Sequence, residues 1–183
     1  MGRINSGIRA FFYKAKFGEI HTPSLFAKPI RLYGVKRAFL GKKFRILNGA
    51  RFEIHDEGKL VIGEDVSIGQ NFHVVSGGNE TLTIGNHVTI SGNVFISNMN
   101  HSYEKIDVHS YEQEHIAKPT SVGDYCFIGY GAVVLPGSKL GKNVIVGANS
   151  VVCGEFPDYV VIAGNPAKVI KYYDMEQQKW LKK

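Results

Sequence analysis

VGDYCFIGYGAVVLPGSKLGKNVIVGANSVV, residues 122–152, is the stretch that decides the fold. Val122, Ile128, Val134, Leu140, Val146 and Val152 recur at every sixth position. Two residues before each stands a second, often smaller one, as at Cys126, Ala132, Ser138, Val144 and Ser150. Positions i−2 and i of an extended segment point to the same side, so each pair supplies two inward side chains to a short strand. Glycine follows the aliphatic at Gly123, Gly129, Gly141 and Gly147, where it is expected to supply a turn conformation that a Cβ resists. A short strand and a sharp turn every six residues predict a three-sided coil, and stacked coils form parallel sheets around one apolar core.

The rhythm extends upstream. It breaks at residues 98–119 and resumes as Ile84, Ile90 and Ile96, then Ile62, Ile68 and Val74, then Leu40, Ile46 and Phe52. Five groups of three predict an all-β chain, a parallel β-helix of about five 18-residue coils. The organisation that follows is an N-terminal extension at 1–35, a β-helix at 36–157 with a projecting loop at 98–119, and a closing turn and short C-terminal helix at 158–183. Residues 77–81 (GGNET) read as a corner loop. The helix is expected over residues 172–183, packing through Tyr172, Met175, Trp180 and Leu181 and covering the open edge of the last coil.

In the extension, Ile4, Ile8, Phe11, Phe12 and Ala15 share one helical face, with Arg3, Arg9, Lys14 and Lys16 around it. Such a helix either packs on the body or a neighbouring subunit, the favoured reading, or rests through residues 1–20 on an anionic membrane surface. Pro23 and Pro29 end any helix.

At 183 residues the chain is one domain's worth, 44% hydrophobic and 21% charged, with 21 glycines. The net charge of +6 favours anionic partners, such as a phosphorylated cofactor, a sugar nucleotide or a membrane surface, and no nucleic-acid partner is expected. No apolar run approaches the ~20 residues of a membrane-spanning helix, and the N-terminus lacks the pattern of a signal peptide. Two cysteines do not make a disulfide framework, so the expected location is cytoplasmic, with the inner membrane face as the peripheral alternative. Cys126 occupies an inward slot and should be inert, whereas Cys153 lies at a corner.

The repeat, the pair Asn100-His101 at the start of the interruption, the run Phe127-Ile128-Gly129-Tyr130-Gly131-Ala132 and the ending Ala163-Gly164-Asn165-Pro166-Ala167-Lys168 carry a resemblance. Over about three quarters of its length the chain resembles the hexapeptide-repeat acyltransferases, specifically the CoA-dependent sugar O-acetyltransferase branch. The resemblance implies a left-handed β-helix, although crossovers between parallel strands are right-handed in nearly all proteins. It further implies a homotrimer with active sites between subunits, and acetyl-CoA as co-substrate with no metal.

Acyl transfer to an alcohol needs a base, and a neutral imidazole suits that role near pH 7. The resemblance gives it to His101, with Glu104, Asp107 or a backbone carbonyl orienting its ring. Asn71 and Asn100 match acceptor-side positions. Phe127 would lie beside the pantetheine arm, and backbone N–H groups in Gly129, Tyr130 and Gly131 would receive the oxyanion. Ala148 matches a small residue whose backbone touches the arm, and Lys168 and Lys171 match basic positions near the adenosine phosphates. The chain departs from the pattern at Cys153-Gly154, where many relatives have Thr-Lys. It also has lysines at 168 and 171, where arginines with bidentate geometry are common.

The implied reaction is transfer of acetyl from acetyl-CoA to a saccharide hydroxyl, a step suited to surface-polysaccharide biosynthesis. N-acetylation of an amino sugar nucleotide is the alternative. A metal-dependent lyase resembling the carbonic anhydrases of this fold ranks lower, because His101, His109 and His115 lack the usual pairing. A non-catalytic scaffold ranks lower too. His109 and His115 could line the acceptor pocket but read better as exposed loop polarity, and His21, His55, His73 and His87 as structural or surface residues.

Overall fold

Leu40 pairs with Ile62, and Ile62 with Ile84, at steps of 22 residues; Ile84 pairs with Val122, and Val122 with Leu140. The sixfold rhythm is thus the rung pattern of three parallel sheets, which form the faces of a prism. The computed structural model describes residues 3–183; the side chains of residues 1–5, Ile4 of the helical face among them, lie outside the described residues. The architecture is the expected left-handed parallel β-helix. Its first face has seven strands, its second seven parallel strands extended by two antiparallel ones, and its third six. That makes six full coils and two sides of a seventh, rather than five.

The additional first coil lies inside the supposed extension. Ile20 pairs with Leu40, Phe26 with Ile46 and Leu32 with Phe52. These three keep the six-residue spacing, but Pro23, Pro29 and the absence of following glycines disguise it. Among the described residues, the helix Arg3–Tyr13 (α1) is the one element that precedes the coils. Its Ala10 is buried and its Tyr13 stacks edge-on to Phe26, with centroids 5.1 Å apart.

The corner glycines act differently from the expectation. Gly41, Gly63, Gly85, Gly123 and Gly141 all lack positive φ. The left-handed residue comes two positions later, as at Lys43, Asp65, His87, Tyr125 and Asn143. What a side chain would meet at the glycine is the next coil. A Cβ on Gly123 would stand 2.4 Å from the Gly141 carbonyl oxygen, and one on Gly41 would stand 2.5 Å from the Gly63 backbone. Coil-to-coil contact, not turn conformation, excludes a side chain there.

The C-terminal helix is not formed. Ala167–Asp174 pairs antiparallel with Val160–Gly164, and Lys179–Lys182 pairs with it in turn, so the segment closes the second face as a hairpin. Asp174 makes the turn, its Oδ1 accepting the N–H groups of Glu176 (3.0 Å) and Gln177 (2.8 Å). Tyr172 and Tyr173 suit a strand, and the open sheet edge offers backbone partners that a helix would leave unmet. Of the expected packing residues, Tyr172, Met175 and Trp180 are exposed.

The core tapers along the axis. Phe17, Phe26, Phe44, Phe52 and Phe72 fill the early coils, while Cys126, Ala132, Ser138 and Ser150 sit among valines in the late ones. Each buried late serine is satisfied: Ser138 Oγ donates to Val152 O (3.1 Å), and Ser150 Oγ accepts the Gly164 N–H (3.1 Å). Burial pushes the Cys126 thiol up to about 11, so it stays protonated, as its inward slot predicts. Cys153 is exposed. Among the described residues no helix is long and apolar enough to cross a membrane.

Candidate active site

The loop at 98–119 leaves the prism at the corner between the third and first faces. Its root is tied by Asn98, which is fully buried. The Asn98 N–H donates to Val75 O (3.2 Å), its Oδ1 accepts the Gly77 N–H (2.8 Å), and its carbonyl accepts the Lys118 N–H (2.7 Å). The chain then runs out as Met99–His101 and returns as His115–Ala117, an antiparallel pair with His101 opposite His115. Residues directly opposite in such a pair hold their side chains within contact reach. The two imidazoles meet edge to face, with centroids 4.5 Å apart. This is the histidine pairing that sequence spacing did not reveal.

Farther out, Gln113 closes the loop on itself. Its buried amide donates to Lys105 O (3.1 Å) and Val108 O (3.0 Å) and accepts the Lys105 N–H (3.0 Å). His109 acts locally, its Nδ1 accepting the Tyr111 N–H (3.1 Å) at the start of the turn Ser110–Glu112. Asn100 Oδ1 accepts the backbone N–H of His101 (2.9 Å), fixing the strand end that carries the ring. Neither Glu104 nor Asp107 hydrogen-bonds the His101 ring among the described residues.

Between this hairpin and the third face lies a pocket of ≈ 480 Å³. Phe95, Val75, Leu135 and Pro136 give it an apolar floor, and His101, His115, Tyr111, Asn100 and His55 give it polar walls. A mostly apolar cleft with a few convergent polar groups is the usual form of a small-molecule site. His115, read above as exposed loop polarity, and His55, read as structural or surface, both line the pocket, as does Tyr111, which the sequence did not single out. The polar flanks of the loop could have pointed to His115 only once the hairpin register was known. Below the pocket, His73 lies against Phe95 at 5.0 Å. Burial holds His73 below the ordinary histidine range, with the Glu53 carboxylate 3.5 Å away opposing the shift.

The remaining positions do not line this pocket. Asn71 is exposed at the corner between the second and third faces, with Phe72 turned into the core as expected. Its Nδ2 donates to Asn93 Oδ1 (3.0 Å), and Asn93 in turn bonds the Tyr130 hydroxyl. At the same corner, the Gly129 and Gly131 N–H groups are taken by Val146 O (2.9 Å) and Gly92 O (3.1 Å). They are therefore unsuited to receive an oxyanion. The N–H groups of Tyr130 and Ala148 have no such partner among the described residues, and both residues are exposed.

On the second face, Phe127 pairs with Ile145, Ile145 with Val161, and Val161 with Lys171, so one transverse row runs from Phe127 to Lys171. Three strand spacings make that row roughly 14 Å long. Lys168, opposite Ala163, is exposed near its far end. An aromatic ring, a small corner residue with an unspent N–H and two distant lysines fit an elongated ligand that ends in phosphates. Within one chain this row and the histidine pocket lie on different faces. Among the described residues, no group of three or more His, Cys, Asp or Glu is arranged to hold a metal.

A left-handed β-helix bearing a histidine hairpin at one corner defines a class, the hexapeptide-repeat acyltransferases. Residues 119–154 match the family described as Bacterial transferase hexapeptide (six repeats). The chain is 33% identical over 153 residues to WbbJ of Escherichia coli (strain K12), whose name assigns it to lipopolysaccharide biosynthesis as an O-acetyl transferase. That alignment covers 78% of this chain and 75% of WbbJ. The galactoside O-acetyltransferase of the same strain is 33% identical over 115 residues, covering 60% of this chain and 55% of that enzyme. In fold, the chain matches a variant of AntD, an N-acyltransferase from Bacillus cereus solved with dTDP and coenzyme A. The TM-score is 0.76 over 91% of this chain and 90% of AntD, at 18% identity. The chain belongs to the hexapeptide-repeat transferase family and is an acyltransferase.

Proposed function

We propose that this protein moves an acetyl group from acetyl-CoA to a saccharide hydroxyl, in sites shared between the subunits of a homotrimer. The observation that carries the reading is His101 on a hydrogen-bonded hairpin root above a pocket, with the Phe127–Lys171 row on a separate face. A neighbouring subunit's row would have to face the hairpin for one site to hold both. The acceptor hydroxyl gives its proton to His101 as its oxygen attacks the thioester carbon. The C–O bond forms, the C–S bond breaks, and the imidazolium returns the proton to the CoA thiolate. Backbone N–H groups at Tyr130 and Ala148 would receive the oxyanion, in place of Gly129 and Gly131. Asn71 would approach the acceptor from the neighbouring subunit, and the acceptor or that subunit would complete the orientation of the His101 ring. The names of the two Escherichia coli relatives support a saccharide hydroxyl as the acceptor.

The test is CoA release from acetyl-CoA with a panel of neutral saccharides and amino sugar nucleotides. Turnover with hydroxyl acceptors is expected. Turnover only with amino sugars would turn the reading to N-acetylation, and absence of both turnover and CoA binding would return the protein to a scaffold role.

Shared sites have their own signature. His101→Ala and Ala148→Trp each inactivate every site in their own homotrimers, the first by removing the base and the second by filling the corner. Equal mixtures unfolded and reassembled together should regain roughly a quarter of the wild-type activity, because that fraction of sites pairs an intact hairpin with an intact corner. No recovery would place each site within one subunit.

A further inference from the structure

α1 has two apolar faces, and the transferase reading uses neither. One faces inward: Ala10 is buried, Tyr13 meets Phe26, and Arg9 donates to Phe26 O (3.3 Å). The opposite face carries Ile8, Phe11 and Phe12, which are 52%, 68% and 68% exposed. Spacings of three and four residues put these side chains side by side as one stripe. Exposed Lys14 and Lys16 follow at its C-terminal end. Two adjacent phenylalanines open to solvent on one helix are costly unless something covers them.

Charge identifies the covering surface. Residues 1–54, through the end of the second coil, contain twelve Lys and Arg against two acids, Glu19 and Glu53, whereas residues 55–183 contain ten against fourteen acids. Coils stack in chain order, so this imbalance is a gradient along the prism: strongly basic at the first two coils and mildly acidic beyond them. α1 lies on the first coil, against Leu25–Phe26, at the basic end. Two copies meeting end to end there would repel each other. We propose that this end docks on an anionic phospholipid surface, with Ile8, Phe11 and Phe12 entering the headgroup boundary and Lys14, Lys16 and Lys28 lying over the lipid phosphates.

The experiment is cosedimentation of the full-length protein with vesicles of phosphatidylcholine alone and of phosphatidylcholine mixed with phosphatidylglycerol. Binding is expected to the mixed vesicles only, and to weaken as salt is raised. The double changes Phe11→Ser with Phe12→Ser, and Lys14→Glu with Lys16→Glu, should each lower partitioning about tenfold or more. Neither should change oligomeric mass or CoA release with a water-soluble acceptor. Failure to bind either vesicle would overturn the proposal, as would equal binding to both. Dissociation of the oligomer by the phenylalanine changes would do the same, since a second copy would then be what covers the stripe. The lysine pair is exposed, so its variant tests the surface even if the phenylalanine variant folds poorly.

Discussion

His101→Ala is expected to lower the rate of CoA release with a saccharide acceptor by about two to four orders of magnitude, the usual worth of a positioned general base. The loss should fall on kcat, because the imidazole acts on a proton in flight and adds little to ground-state binding. Stability should be unchanged. His101 is exposed on a hairpin whose register depends on backbone pairing and on Asn98, and its ring has no hydrogen bond within the described chain to lose. His115→Ala is the control for a merely local disturbance. It removes the ring packed against His101 at 4.5 Å but leaves the base, so its effect should be distinctly smaller. Intact turnover in the His101 variant would refute the mechanism.

Phe52→Ala carries the largest expected effect on stability, a loss of about 3–5 kcal/mol. Phe52 is fully buried, and its ring lies 5.8 Å from Phe17, 6.0 Å from Phe26 and 6.1 Å from Phe72, measured between centroids. Its neighbours come from the entry to the first coil, the first coil and the third. Truncation therefore opens a cavity that no single strand can collapse to fill. Denaturant unfolding measures the loss, and Phe52→Leu, which retains most of the volume, should recover much of it. A change below about 1 kcal/mol would mean that the first coil does not close over the second as described.

How much of this was legible in the chain depends on what kind of signal each part leaves. The coils from Leu40 to Val152 were legible because inward pairs repeat at one spacing and nearly all are buried. Ile20, Phe26 and Leu32 obey the same spacing, yet His21, Ala27 and Tyr33 stand where glycines follow the aliphatic elsewhere, Pro23 and Pro29 interrupt the segment, and three hits beside a helix are easily assigned to it. The C-terminal segment misled for a physical reason. Tyr172, Met175 and Trp180 match a helical face as readily as a twisted hairpin, and the choice was made by an open sheet edge that local sequence does not encode. In the candidate site, the place of His101 at the root of the interruption was legible, while the role of base proposed for it came from the resemblance. Its partnership with His115 was not, because cross-strand pairing depends on hairpin register. The roles of individual N–H groups at Gly129, Tyr130 and Gly131 depend on which carbonyl each one meets in the adjoining coil, and so were invisible before the stacking was known.

Because each coil advances by one strand spacing, position in the chain is also height along the prism, and the molecule can be used as a ruler. The histidine hairpin departs after the fourth coil, three spacings above the first, or about 14 Å. With the first coil resting on a bilayer as proposed, reaction would occur at a fixed elevation above the lipid phosphates. A free sugar is indifferent to that elevation. A sugar carried on a lipid is not: only units far enough from the anchor would come level with His101, so the number of stacked coils would select which residue of a growing glycan is modified.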